Sequence, residues 1–307
     1  MTLLLRAVPI TAMLIVSAVL ATAGQARTDN RSKPIYFVHG YEGDSGANCN
    51  QWDDMTGKFR DWGHSGTFFR VAYYVDDVNC NSWVDHHGSH STHNASGHSG
   101  GSHTANTNIR HLGYHLAWHI YDHYTRYGTY VDVVGHSMGG LIIRYAIAQT
   151  ELNHPDFPPN LRVEDVVTMG TPHGGFRWPC LFCPLQGDQM SMGSDFLVWL
   201  ENNAWEPDGY GGTQWSTFGS DNDGWVAADR AAGTGSHRDP VNQYIGSCHK
   251  TWYTPVNDIG HTDFLHDTQG GFTAQAYARH CPSGWVFYGG LPWPVRRADY
   301  AVTFGDQ

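Results

Sequence analysis

Tyr130-Val-Asp-Val-Val-Gly135-His-Ser137-Met-Gly139-Gly140-Leu-Ile-Ile-Arg-Tyr-Ala-Ile-Ala148 changes character at its middle. Its first half is a short β-branched run, the composition of a buried strand. From Met138 onward apolar residues recur at helical spacing, without proline or a mid-helix glycine. Between the halves sits Gly135-x-Ser137-x-Gly139. A serine at so tight a strand-to-helix turn is held in a strained backbone conformation with its hydroxyl outward. The flanking glycines leave room where a side chain would strike the neighbouring strand and helix. The helix that follows aims its N-terminal N–H groups and positive dipole end at the serine, where an oxyanion would form. The stretch reads as a nucleophile elbow, with Ser137 as the nucleophile.

Gly97-His-Ser99-Gly-Gly101 has the same pattern, but no strand precedes it and no helix follows. With 36 glycines in the chain a chance match is unsurprising, so context decides for Ser137.

Working outward, strands that end in polar turns flank the elbow. Pro34-Ile-Tyr-Phe-Val-His39-Gly40-Tyr41 is a strand closing on His-Gly, and Phe68 to Val75 is a second, with a short helix expected around 51–60 between them. Backbone N–H groups just after the first strand can face the site above the elbow, so Tyr41 and Met138 are the expected oxyanion donors. Val163 to Met169 is the next strand and ends in Gly170-Thr171-Pro172-His173-Gly174-Gly175, a turn that brings backbone close to the pocket. Trp215 to Gly219 precedes Asp221-Asn-Asp223-Gly-Trp-Val226, and Thr251 to Val256 precedes Gly260-His261. Each presents a candidate partner for Ser137 in a loop after a strand, in the chain order Ser, Asp, His. His261 would take the serine proton, and a buried carboxylate, Asp223 or Asp221, would fix its tautomer. Among 20 histidines, position and the Gly-His context single out His261, while His136 and His173 read as structural.

Two histidine-rich features invite a metal. Residues 85–107 interleave His86, His87, His90, His93, His98 and His103 with serine and glycine, and read as an exposed loop insert. Asn94-Ala-Ser96 within it matches a glycosylation sequon by pattern alone. Asn106 to Tyr127 reads as a helix whose apolar face runs through Ile109, Leu112, Leu116 and Ile120. His111, His115, His119 and His123 form an i, i+4 row beside that face, which is expected to be a solvated flank because no carboxylate or cysteine joins it. No metal ligand and no cofactor are therefore expected.

The 307 residues suffice for one large domain, and 15% charged with 40% hydrophobic residues is a globular composition. A formal charge of −11 argues against nucleic acid and against an electrostatic grip on anionic membranes. Met1 to Ala26 reads as a secretory signal, with Arg6 before an apolar run from Val8 to Leu20 and cleavage after Ala23 or Ala26. That run is short for a membrane span and holds Pro9, and no later stretch is long and apolar enough, so no stable membrane insertion is expected after cleavage. Export makes disulfides the default for the six cysteines, with nearest-neighbour pairing (Cys49–Cys80, Cys180–Cys183, Cys248–Cys281) expected because each pair would staple one loop-rich region. Cys180-x-x-Cys183 as a redox or zinc site is the weaker alternative, since a second CxxC is absent from the sequence. Residues 176–212 form a second, loop-rich insert with several aromatic residues, which either flanks an acyl pocket or packs as a surface subdomain.

Together these pieces resemble the α/β-hydrolase fold, and in particular the small secreted bacterial esterases and lipases of the lipase class 2 type. The matching motifs are Phe37-Val-His-Gly40, Gly135-His-Ser-Met-Gly-Gly140, Gly170-Thr-Pro-His-Gly174, Gly193-Ser-Asp-Phe-Leu197, the Asp221–Val226 turn and Gly260-His261, spanning residues 34–265. The resemblance implies a mostly parallel central sheet with helices on both faces. It also implies a monomeric serine hydrolase acting on an ester or lipid, with Ser137, Asp223 and His261 catalytic and Tyr41 and Met138 forming the oxyanion hole. The acid role goes to Asp223 over Asp221 because it stands before an apolar residue and a valine. The histidine-rich insert, the cysteine-bearing segments and the tail from His280 to Gln307 depart from the compact family core. Acyl transfer on the same scaffold, or a non-catalytic metal-binding relative, are the competing functions.

Overall fold

The computed structural model describes residues 30–43, 45–84, 103–177, 183–236, 239–266, 271–280 and 283–305. The expected signal segment, the second G-x-S-x-G pattern, the sequon and most of the histidine-rich insert lie outside the described residues.

In chain order the elements are β1 (Ile35–Val38), α1 (Asp53–Asp61), β2 (Phe68–Ala72), β3 (Ser82–Trp83), α2 (Ile109–His123), β4 (Val131–His136), α3 (Met138–Glu151), β5 (Val163–Met169), α4 (Leu185–Gln189), α5 (Asp195–Asn203), β6 (Gln214–Ser220), α6 (Ala228–Ala231), β7 (Thr234–Ser236), β8 (Asp239–Gln243), β9 (His249–Tyr253), β10 (Ala274–Arg279), β11 (Trp285–Leu291) and α7 (Pro294–Phe304). Nine strands form one sheet in the order β11-β10-β9-β6-β5-β4-β1-β2-β3, and β7 pairs with β8 separately. From β3 to β9 every pairing is parallel, whereas β10 and β11 join as antiparallel strands. The strand order reverses where β1 lies between β2 and β4, and such a crevice at the carboxyl ends of parallel strands is where α/β folds bind ligands.

β1, β4 and β5 are buried along their whole length because both of their faces are covered. One core joins the sheet to α2 and α3, with Leu112, Leu116, Leu141 and Ile142 among its members. The opposite core joins it to α1 and α7 through Phe37, Trp52, Phe59, Val295 and Val302. Helices thus cover both faces, as expected. The tail contributes more than packing: β11 extends the sheet and α7 lies against β4, β5 and α1. α5, capped by Ser194, packs on α3 with Phe196 and Leu200 buried, so this part of the second insert serves the core.

The histidine row of α2 departs from expectation. His115 and His119 are buried, His111 is half-buried and only His123 is exposed. The helix is covered on more of its circumference than its apolar stripe indicates, because Ser82 and Tyr36 reach His119 on one side and the residues entering α2 fold back over His115 on the other.

At the amino ends of the central strands, Lys33 Nζ donates to Asp132 (2.8 Å), Glu164 (2.7 Å) and Asp165 (3.2 Å), all buried. Burial opposes its charge, but Asp132 and Asp165 outweigh burial and hold the ammonium above the ordinary lysine range. Burial, with Asp165 beside it, pushes the Asp132 carboxyl well up.

Disulfide bonding follows the expected neighbours where it is described. Cys49 is bonded to Cys80, tying the start of α1's turn to the loop after β2. Cys183 and Cys248 are also disulfide-bonded, which leaves Cys183 no thiolate to ligate zinc; Cys180 and Cys281 lie outside the described residues.

Candidate active site

The turn between β4 and α3 has the strain its sequence predicts. Ser137 adopts φ 52° and ψ −127°, a backbone region that L-residues other than glycine rarely occupy. Its N–H donates to the Met169 carbonyl at 2.9 Å, which ties the turn to the end of β5. The flanking glycines are needed for contact. A Cβ at Gly139 would lie 2.1 Å from the Val38 carbonyl oxygen, and one at Gly135 2.7 Å from the Gly140 nitrogen. The His-Gly end of β1 belongs to the same construction, since a Cβ at Gly40 would meet Ser137 Cβ at 2.6 Å.

Asp223 and His261 come together from loops after β6 and β9. Asp223 is fully buried, and its Oδ2 accepts from His261 Nδ1 at 2.8 Å. Its Oδ1 accepts from the N–H groups of Trp225 (2.8 Å) and Val226 (2.9 Å), which lock the carboxylate's orientation. Gly170, at φ +59°, passes beneath this pair: a Cβ there would lie 3.1 Å from His261 Nδ1 and 3.2 Å from Asp223 Oδ2. The other candidate acid, Asp221, is exposed and accepts from Trp252 Nε1 at 2.9 Å, turned toward the sheet's edge.

Ser137 and His261 line one cavity of about 190 Å³ with Gly40, Tyr41, Glu42, His136, Phe176, Trp225 and Thr262. Met138 is the first residue of α3, so its N–H has no acceptor within the helix, and Tyr41 follows directly on Gly40 beside the serine. Phe176 and Trp225 are the cavity's apolar walls, with ring centroids 6.4 Å apart.

Two histidines near the site hold structure together, as expected, and the structure gives the means. His136 is buried and its Nε2–H donates to the His261 carbonyl at 2.7 Å, so it fixes the loop carrying His261. Burial, reinforced by His261, lowers its pKa to about 3, because its other ring nitrogen is enclosed where a second proton would find no acceptor. His173 accepts from Arg144 at Nδ1 (3.3 Å) and therefore donates from Nε2 to Thr168 (3.0 Å). Burial and then Arg144 hold it neutral, well below the ordinary histidine range.

Two further groups lay beyond sequence reasoning. His39 is buried, stacks on Tyr73 at 4.0 Å and donates to Asp77 at 3.0 Å. Asp77 also accepts the N–H groups of Ala47 (2.6 Å), Tyr73 (2.7 Å) and Tyr74 (2.8 Å), so one carboxylate ties the loop after β1 to that after β2. Burial would raise its pKa, but the bond and charge of His39 and the backbone donors hold it below the carboxylate range. Glu42 faces the cavity, and burial pushes its carboxyl up, with His39 opposing and Asp77 adding. For Glu42 the only sequence signal was nearness to His-Gly, and Asp77, 38 residues from His39, had none.

Solved structures similar to this chain include the mature lipase BlEst2 of Bacillus licheniformis, at 19% identity and a TM-score of 0.40, covering 65% of this chain and 70% of that one. Aspergillus fumigatus lipase B matches at 14% identity and a TM-score of 0.44, over 76% of this chain and 49% of that one. A Listeria innocua protein, the lin2722 product, matches at 14% identity and a TM-score of 0.41, over 65% of this chain and 77% of that one. No curated protein matches the chain. Residues 36–190, half of the chain and the part that holds β1, the elbow and the Gly-Thr-Pro-His-Gly turn, match a family of proteins. The sheet and its elbow are those of an α/β-hydrolase, and the chain belongs to the family described as putative serine esterase (DUF676).

Proposed function

We propose that the protein is a secreted carboxylic ester hydrolase working through an acyl-enzyme on Ser137. The observation that carries this is the Asp223–His261 hydrogen bond, made at the rim of the cavity that the strained Ser137 also lines. Asp223 at Nδ1 keeps the proton there and leaves the His261 Nε2 lone pair for the serine hydroxyl. Ser137 Oγ attacks the ester carbonyl carbon as its proton passes to His261, and the N–H groups of Tyr41 and Met138 hold the resulting oxyanion. His261 returns the proton to the departing alcohol, leaving the acyl group on Ser137. Water, deprotonated by the same imidazole, then attacks the acyl carbon and releases the acid.

The cavity is smaller than the roughly 300–1,000 Å³ of pockets that enclose drug-sized ligands, and its walls are aromatic. Both features favour a short apolar acyl group. The Cys49–Cys80 disulfide supports an oxidising destination, in keeping with the N-terminal segment's signal-like sequence. No helix among the described residues is long and apolar enough to cross a membrane.

The test is hydrolysis of a chromogenic ester series of rising acyl length by the mature protein and by Ser137→Ala. Wild type should turn over short esters best, and the variant should lose several orders of magnitude with its melting temperature almost unchanged. A variant that keeps most of its rate removes Ser137 from the chemistry.

A further inference from the structure

Among the described residues two groups of three metal-type side chains converge. One, Asp132, Glu164 and Asp165, encloses the Lys33 ammonium. The other, His103, His111 and His115, consists of imidazoles alone, and we propose that it is a zinc site which fastens the chain entering α2 to that helix.

The geometry is set by backbone rather than by chance side-chain contact. His111 and His115 are one turn apart on α2 and share a face. His103 is pinned from the other direction, by a parallel bridge to Tyr74 and by its carbonyl accepting the Val75 N–H at 2.9 Å. His111 Nε2 lies 2.8 Å from His103 Nε2 and 3.1 Å from His115 Nε2. One ring nitrogen from each residue falls within 4.8 Å of the others.

An imidazole nitrogen has one in-plane position, holding either a proton or a lone pair. His111 Nε2 cannot serve two ring nitrogens with two well-aligned hydrogen bonds. A cation between three lone pairs satisfies all of them at once. Zinc–nitrogen bonds of about 2.0–2.1 Å in a tetrahedron separate the nitrogens by about 3.3–3.4 Å. The two short spacings, from His111 to His103 and to His115, need to open by about half an ångström, and the His103–His115 pair, within 4.8 Å, closes the triangle around the ion. Donors of nitrogen alone select borderline first-row ions over calcium and magnesium, which take oxygen. His115 is fully buried and His103 nearly so, which supplies the shielded setting of a structural ion.

The experiment uses the mature full-length protein, stripped with chelator, reloaded with Zn²⁺ and desalted before elemental analysis and thermal melting. The same is done with His111→Gln, with His115→Gln, and with a variant whose His86, His87, His90, His93 and His98 are replaced by serine. Wild type and the serine-substituted variant should each retain one zinc per chain and melt several degrees higher with it. Either glutamine variant should lose both the zinc and the shift. Because His115→Gln has its change in the core, Co²⁺ loading of wild type gives a readout independent of variant folding: visible d–d bands of a four-coordinate site are expected. Absence of stoichiometric zinc in wild type, or zinc kept by His111→Gln and lost with the serine replacements, overturns the proposal.

Discussion

Replacing Asp223 with asparagine isolates the carboxylate's charge with almost no change in shape. In wild type Oδ2 accepts from His261 Nδ1 at 2.8 Å, while Oδ1 accepts from the backbone of Trp225 and Val226. Those two N–H groups require an acceptor, so the asparagine oxygen stays with them and its NH₂ turns toward His261. Facing a donor, Nδ1 must present a lone pair, and the proton moves to Nε2, where it blocks acceptance of the serine proton. The lost charge adds to the wrong tautomer. With charge centres about 4 Å apart, carboxylate and imidazolium attract by about 4 kcal/mol at an effective dielectric constant near 20. At about 1.4 kcal/mol per tenfold in rate, that is about 10³, and the tautomer penalty takes the expected loss toward 10⁴. The assay is kcat/KM on a short chromogenic ester for wild type, Asp223→Asn and Asp221→Asn, with melting temperatures checked in parallel. Asp221→Asn, exposed and accepting from Trp252 rather than from His261, should remain within about twofold of wild type. An Asp223→Asn enzyme with more than a tenth of wild-type kcat/KM, or a larger loss in Asp221→Asn, refutes the assignment.

Three further predictions concern the scaffold beneath the site. His136, with its pKa lowered to about 3 by burial, titrates near 6.5 once unfolded, so the unfolded chain binds the extra proton; its stability contribution is complete above about pH 6.5 and is lost as pH falls toward 3. Urea unfolding of wild type and His136→Gln should show wild type losing about 1.4 kcal/mol more per pH unit across that window, and a pH-independent difference argues against a neutral buried imidazole. Lys33→Met leaves three buried carboxylates without their cation and should cost about 3–5 kcal/mol, with a smaller deficit at pH 5 than at pH 8 as carboxylates take up protons; a melting deficit that grows on acidification contradicts this. Asp77→Ala orphans three backbone N–H groups and His39, and should destabilise by at least about 3 kcal/mol, with Asp77→Asn milder; because the Asp77 carboxyl is held low, its contribution is present above about pH 4 and disappears as pH falls through the folded value. A denaturation midpoint for the alanine variant equal to wild type rejects that role.

The elbow was legible from sequence because its determinants are local. A β-branched run, a Gly-x-Ser-x-Gly turn and a periodic helix specify strand, strained corner and helix within 19 consecutive residues, and the structure has β4, the positive φ at Ser137 and α3 there. The same locality made the His-Gly end of β1, the candidate donors Tyr41 and Met138, and the two loop positions Asp223 and His261 readable as candidates. Burial and pairing across the chain were not readable. Asp221 and Asp223 share one turn, and the Trp-Val that follows Asp223 favoured it only through the family resemblance; the approach of the loop after β9 is what makes Asp223 fully buried against His261 and leaves Asp221 in solvent. Glu42 and Asp77 depend on segments converging from β1 and β2, and the edge strands β10 and β11 on pairing with β9. The row on α2 shows the limit most clearly: helical spacing put His111 and His115 on one face. Whether that face was wet or covered depended on His103, eight residues before His111 and fixed in place by a bridge to Tyr74. Periodicity determines which side chains share a face, whereas what lies opposite that face is decided by long-range strand pairing, and so only by the tertiary structure.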